Sequence, residues 1–112
     1  MSPLANLELV QDGVHVEARI SGELDLASCD ELRAKLEPAL DAADSALIDL
    51  EAVTFVDSAG VRLLVQLALG MQRAGRVLEL APPADAWARK VLAVAQLERV
   101  VAFRRTDDPG RP

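Results

Sequence analysis

Tyrosine is missing from the chain, and one Trp and two Phe leave aromatics at 3% of its 112 residues. Apolar residues nevertheless make up 51%, so a core has to be assembled from Leu, Val, Ile and Ala. A single cysteine, Cys29, excludes an internal disulfide and removes any tie to an oxidising compartment. It reads as a small apolar residue packed on a helix ahead of a reactive thiol. The one histidine, His15, stands on the polar side of an alternating segment with no other metal ligand at a recognisable spacing, and reads as a surface residue. No apolar run approaches the length needed to span a bilayer. The first residues, Met1-Ser2-Pro3-Leu4-Ala5-Asn6, lack the basic and apolar regions of a signal peptide, so a cytoplasmic location and no membrane insertion are expected.

Charge excludes a further class. Lys and Arg number 12 against 18 Asp and Glu, for a formal charge of -6, and the basic residues form no stripe. Phosphate-backbone affinity needs clustered Lys and Arg, so direct nucleic-acid binding is not expected. Enzyme signatures are also missing: there is no Gly-x-Ser-x-Gly elbow, P-loop, dinucleotide fingerprint or metal-ligand cluster. A serine nucleophile needs a base and an oxyanion site, and the lone histidine lies on a different strand from any candidate serine. Neither a catalytic role nor a cofactor is expected.

What is present is one domain's worth of alternating strands and helices. Residues 1–5 and the segment from Arg104 to Pro112 read as frayed ends, with 105–112 as a flexible tail, around a core at about 6–104. Leu7-Glu8-Leu9 opens a strand, and Gln11-Asp12-Gly13 carries a hairpin signal. Val14, Val16, Ala18 and Ile20 then alternate with His15, Glu17 and Arg19, which predicts a strand wetted on one face. Asp25 is placed to cap a helix from about Leu26 to Ala42 with Leu32, Leu36 and Leu40 as its buried stripe. Pro38 inside it predicts a kink or an end near Glu37, since an interior proline costs about 3 kcal/mol.

Ala46–Leu50 is an unalternated apolar run, as in a strand covered on both faces. Thr54-Phe55-Val56 leads through Asp57-Ser58-Ala59-Gly60 into a helix from about Ala59 to Arg73, stopped by Gly75. Arg76–Leu80 predicts a strand, about Ala84–Val94 a third helix carrying Trp87 as a packed edge residue, and Val100–Phe103 a last strand. Two leading strands followed by helix and strand in alternation predict an α/β domain with a mixed sheet.

The segment around Ser58 carries the functional information. A serine at a helix start is most simply a cap. The helix behind it, however, has two apolar stripes: Val61, Leu64, Ala68 and Met71 on one side, Leu63, Leu67 and Gly70 on the other. The second stripe meets another element of the fold or forms a partner-binding surface.

Together with a Gly22-Glu23-Leu24-Asp25 turn before the first helix, Asp49-Leu50 through Asp57-Ser58-Ala59-Gly60, the Gly75 break and the closing Leu97-Glu98-Arg99-Val100, the chain resembles a STAS domain of the anti-sigma factor antagonist family over about residues 6–104. The resemblance implies a single STAS-like α/β domain, a mixed sheet of four to five strands with helices packed mainly on one face. It further implies an unphosphorylated protein that binds an anti-sigma factor, itself a serine kinase of the histidine-kinase-like ATPase type, and so releases a sigma factor. Ser58 is then the phosphorylation site, reversed by a PP2C-type phosphatase, and Ala59 removes the second hydroxyl that some relatives carry. The partner-binding residues implied are Glu23, Asp25, Asp57, Ser58, Ala59, Gly60, Arg62, Leu63 and Leu67, with Asp25 foremost a cap and Arg62 either an interface residue or a solvated charge. The other job open to this fold is a scaffold or accessory subunit of a signalling complex or membrane transporter, not regulated through Ser58.

Overall fold

The computed structural model describes residues 5–104. The expected 105–112 tail lies outside the described residues. Five strands form one sheet in strictly sequential order: β1 (Ala5–Asp12), β2 (His15–Leu24), β3 (Ser45–Val56), β4 (Val77–Ala81) and β5 (Ala102–Phe103). The first pair is antiparallel and the remaining three are parallel. The crossovers carry α1 (Leu26–Asp41), α2 (Ser58–Arg73), and α3 (Ala86–Val94) followed by a 3-10 turn at Leu97–Arg99. When strand order never reverses and crossovers share one hand, the helices fall on the same side of the sheet. One core cluster accordingly joins Ile20, Ile48 and Leu80 of the sheet to Leu36 of α1, Leu64 of α2 and Leu92 of α3.

The uncovered face carries the opposite register. Arg19 there reaches Glu8 of β1 at 3.6 Å, Glu17 at 3.4 Å and Asp49 of β3 at 3.6 Å. His15 is half-buried, and its Nδ1 lies 2.8 Å from the Ser45 hydroxyl. It is thus a bonded strand-end residue, not a free surface histidine.

Several boundaries differ from expectation for local reasons. Val14 is not the first inward residue of β2. It forms the two-residue hairpin loop with Gly13, whose φ of 62° supplies the left-handed position, and it is exposed. Ala5 is no frayed end, since it pairs with Gly22 and is buried; at the other end the Arg104 amide donates to the Leu80 carbonyl at 2.7 Å. Gly22-Glu23-Leu24 is not a turn, because Gly22 at φ 94° lets β2 continue through a register shift beside β3. β3 runs unbroken from Ser45 to Val56 for the same reason, its extra residues absorbed by those shifts. At the C-terminal end Asp85, which caps α3, moves that helix's start to Ala86, and Trp87 is 61% exposed on its outer side, not packed.

Pro38 does not end α1, which continues to Asp41. It sits in the last turn on the exposed side; Ala34, one turn earlier, is exposed too, and its carbonyl, which loses its helical donor, can be hydrated instead. Replacing Pro38 by Ala restores that bond, and the exposed site leaves room for the change. Pro38→Ala is expected to raise stability by about 1–3 kcal/mol, read as a higher midpoint in urea unfolding with unchanged slope.

Candidate functional site

The ends of β2 and β3 lie side by side, and each leads directly into a helix. Asp25, with extended backbone, is the N-cap of α1: its Oδ1 accepts from the Ser28 amide at 3.1 Å, while the Ser28 hydroxyl accepts from the Asp25 amide at 3.1 Å. Ser28 is buried, and its hydroxyl donates to the Glu23 carbonyl at 2.9 Å, so the box is closed on both sides. The expected capping role of Asp25 holds.

At the second helix the expected cap is wrong by one residue. Asp57 has the extended backbone, φ −113° and ψ −171°, and is the N-cap; Ser58 is already helical. Asp57 Oδ1 accepts from the amides of Ala59 at 2.9 Å and Gly60 at 3.1 Å. Its other oxygen, Oδ2, accepts from the Leu26 amide at 3.2 Å, the first residue of α1. One carboxylate therefore holds the N-terminal turns of both helices. The Ser58 hydroxyl is exposed and bonds to no other described residue.

Gly60 is required by close approach. A Cβ there would stand 2.4 Å from the Leu24 carbonyl oxygen, 2.9 Å from Leu24 Cγ and 3.1 Å from Val56 Cγ1. The same Leu24 carbonyl accepts the Asp57 amide at 3.2 Å, so the end of β2 is clamped against the first turn of α2. Gly60, Leu63 and Leu67 are consequently buried, the two leucines at 0% and 5% exposure. Their implied place on a partner surface is corrected: they belong to the core of the domain. Of the second apolar stripe of α2, Leu63 and Leu67 are buried, while Gly70 is exposed and lines, with Leu67 and Leu40, a cavity between α2 and α1.

The remaining candidates converge. A groove of about 400 Å³ between the first turns of α1 and α2 is lined by Leu26, Cys29, Asp30 and Arg33 on one side and Asp57, Ser58, Ala59 and Arg62 on the other. Leu26 is 77% exposed at its rim. Glu23, near the end of β2, and Asp25, the N-cap of α1, are half-buried and do not line it. The lining carries two carboxylates and two guanidiniums, which balance. Cys29 is buried; burial first, then the charges of Asp57 and Asp25, push its thiol above the ordinary value, so it stays protonated and inert at neutral pH. Sequence reasoning missed Leu26, Asp30 and Arg33. Their signal was the spacing 26, 29, 30, 33 along one face of the helix that Asp25 starts.

A family model described as "Mlab, STAS domain" matches residues 7–102. The chain belongs to the STAS domain family. Solved structures share the fold. The anti-sigma factor antagonist SpoIIAA in its unphosphorylated form superposes at a TM-score of 0.75, with 24% identity over 91% of this chain and 90% of that one. The phosphorylated Bacillus SpoIIAA gives 0.69 and 24% over 91% and 94%. An anti-sigma factor antagonist from Mycobacterium paratuberculosis gives 0.80 and 17% over 91% and 86%. At these identities the likeness establishes the fold. No curated protein sequence matches. Among the described residues of this STAS domain no helix is long and apolar enough to cross a membrane, and no cluster of His, Cys, Asp or Glu has the makings of a metal site.

Three substitutions test the corner of the STAS domain. Gly60→Ala is expected to cost about 1–3 kcal/mol, because the clash is with backbone and cannot be relieved by a rotamer. Asp57→Ala orphans three amides on two helices and is expected to cost about 2 kcal/mol, at the upper end for a single cap. Asp25→Ala should cost less; equal losses at the two positions in chemical unfolding would show that Asp57 serves only one helix.

Proposed function

We propose that this STAS domain is a binding switch, an anti-sigma factor antagonist that engages an anti-sigma factor/serine kinase of the histidine-kinase-like ATPase type when Ser58 is unmodified. Engagement releases a sigma factor; phosphorylation of Ser58 ends it, and a PP2C-type phosphatase restores it. No catalytic role is assigned to the chain. The observation that carries this reading is the division of labour between Asp57 and Ser58. The carboxylate does the capping, which leaves the serine exposed, without an internal partner, and beside a shallow groove.

A phosphate there adds about −1.5 to −2 charges to a lining whose formal charges balance. Ser58 is exposed, whereas the buried residues of α2 are Gly60, Leu63, Leu64, Leu67, Ala68 and Met71. A switch by local charge and bulk is therefore favoured over refolding. The similarity of the fold to both the unphosphorylated and the phosphorylated SpoIIAA supports the same view. Glu23, Asp25, Asp57, Ala59 and Arg62 are proposed to frame the contact, with Leu26 as its apolar rim.

A second reading has one observation behind it: the matching family model is described by Mlab and not by the antagonists. On that reading the chain is an accessory subunit of a larger assembly, and Ser58 does not regulate it.

Capture from a lysate of the source organism with wild type, Ser58→Ala and Ser58→Asp separates the two. Wild type and Ser58→Ala are expected to retain a histidine-kinase-like ATPase, and Ser58→Asp to lose it. Reconstituted with the retained protein, Ser58→Asp should bind about a hundredfold more weakly, ~2.8 kcal/mol. Retention of one transporter ATPase by all three baits would establish the second reading instead.

A further inference from the structure

We propose that Arg62, helped by Arg33 from across the groove, is the positioning residue that holds a phosphate on Ser58 against this chain's own surface. The inference rests on the reading of Ser58 as a phosphoacceptor. A phosphate at the start of a helix ordinarily takes the free amides of the first turn. Here most of those amides are engaged, leaving in α2 that of Ser58 itself: Ala59 and Gly60 donate to Asp57 Oδ1, Leu26 to Asp57 Oδ2, and Val61 to the Asp57 carbonyl at 3.0 Å. Those of Ser28 and Cys29 in α1 donate to Asp25. Beyond the Ser58 and Ala27 amides, the helix ends cannot take further phosphate oxygens without evicting a carboxylate that secures both of them.

Asp57 also sets a negative charge directly beside the modified residue, so a cation has to compensate. The cations that line the groove are Arg33 and Arg62; the anions around it are Asp30 and Asp57 in the lining, with Asp25 and Glu23 on the neighbouring strand end. Arg62 follows Ser58 by four residues on α2, which puts the two side chains on one face of the helix. It is exposed and forms no salt bridge among the described residues. Arg33 pairs with Glu37 at 3.7 Å on the surface, a weak and exchangeable contact. A planar guanidinium matches two phosphate oxygens at once, which an ammonium does not. The phosphate is then drawn over the groove between α1 and α2, so the switch acts by obstructing the docking site as well as by charge.

The test uses the full chain with phosphoserine incorporated at position 58 by genetic encoding, and reads the second ionisation of the phosphate by 31P NMR. Arg62→Gln is expected to raise that ionisation by roughly 1 pH unit relative to wild type. Arg33→Gln should raise it by less and the double variant by more, while Arg62→Lys should keep part of the effect. The same substitutions in unphosphorylated protein are expected to leave the unfolding midpoint unchanged, since Arg62 is exposed. Identical titrations for wild type and Arg62→Gln, or an effect of Arg33→Gln alone, would overturn the assignment. Because the phosphate is installed directly, this result stands apart from the capture experiment. A failed clamp leaves Ser58 as a possible acceptor, and a failed capture leaves the clamp measurable.

Discussion

The carboxylate of Asp57 sits where two strands hand over to two helices, and it bonds to both helices at once. Through Oδ1 it closes the first turn of α2, and through Oδ2 it takes the first amide of α1. Each bond alone is worth little, about 1 kcal/mol net. Their sharing fixes the relative position of two elements that the chain separates by 31 residues. Gly60 and the Leu24 carbonyl complete the constraint from the other side, since the first turn of α2 lies too close to β2 for any side chain. The groove is what remains between two helix starts held in this way.

This arrangement separates the residues that hold the fold from those assigned to the proposed switch. Capping and close packing fall to Asp57, Asp25, Ser28 and Gly60, all partly or wholly buried. Ser58, Arg62 and Leu26 stand exposed on the same platform with little structural duty. A site that is to gain and lose a charged group has to be one the fold does not lean on, because added charge in a packed corner would be paid in stability. Balanced formal charge in the groove makes the phosphate proposed at Ser58 a large relative change.

Much of the fold was legible in the residues. The period-four stripe Leu32, Leu36, Leu40, the alternation through Val16, Ala18 and Ile20, and the apolar run at Ala46–Leu50 each mark an element that is present, because burial imposes those periods directly. The site was legible in part. Asp57, Ser58, Ala59 and Arg62 lie close together in one segment and were found together; Arg33, Asp30 and Leu26 come from another helix and were not. Boundaries failed where one backbone angle decides, at Gly13, Gly22 and Asp57, since a side chain's identity permits more than one φ and ψ.

By itself the sequence determined the order and type of elements, the aliphatic core and the motif that names the family, because periodicity and short-range capping act between residues close in the chain. Only the tertiary structure decided which of Asp57 and Ser58 caps α2, whether Leu63 and Leu67 face a partner or the core, and which charges meet Ser58. Those outcomes depend on where β2 and β3 end relative to each other, and that follows from sheet register and strand shifts that no single segment specifies.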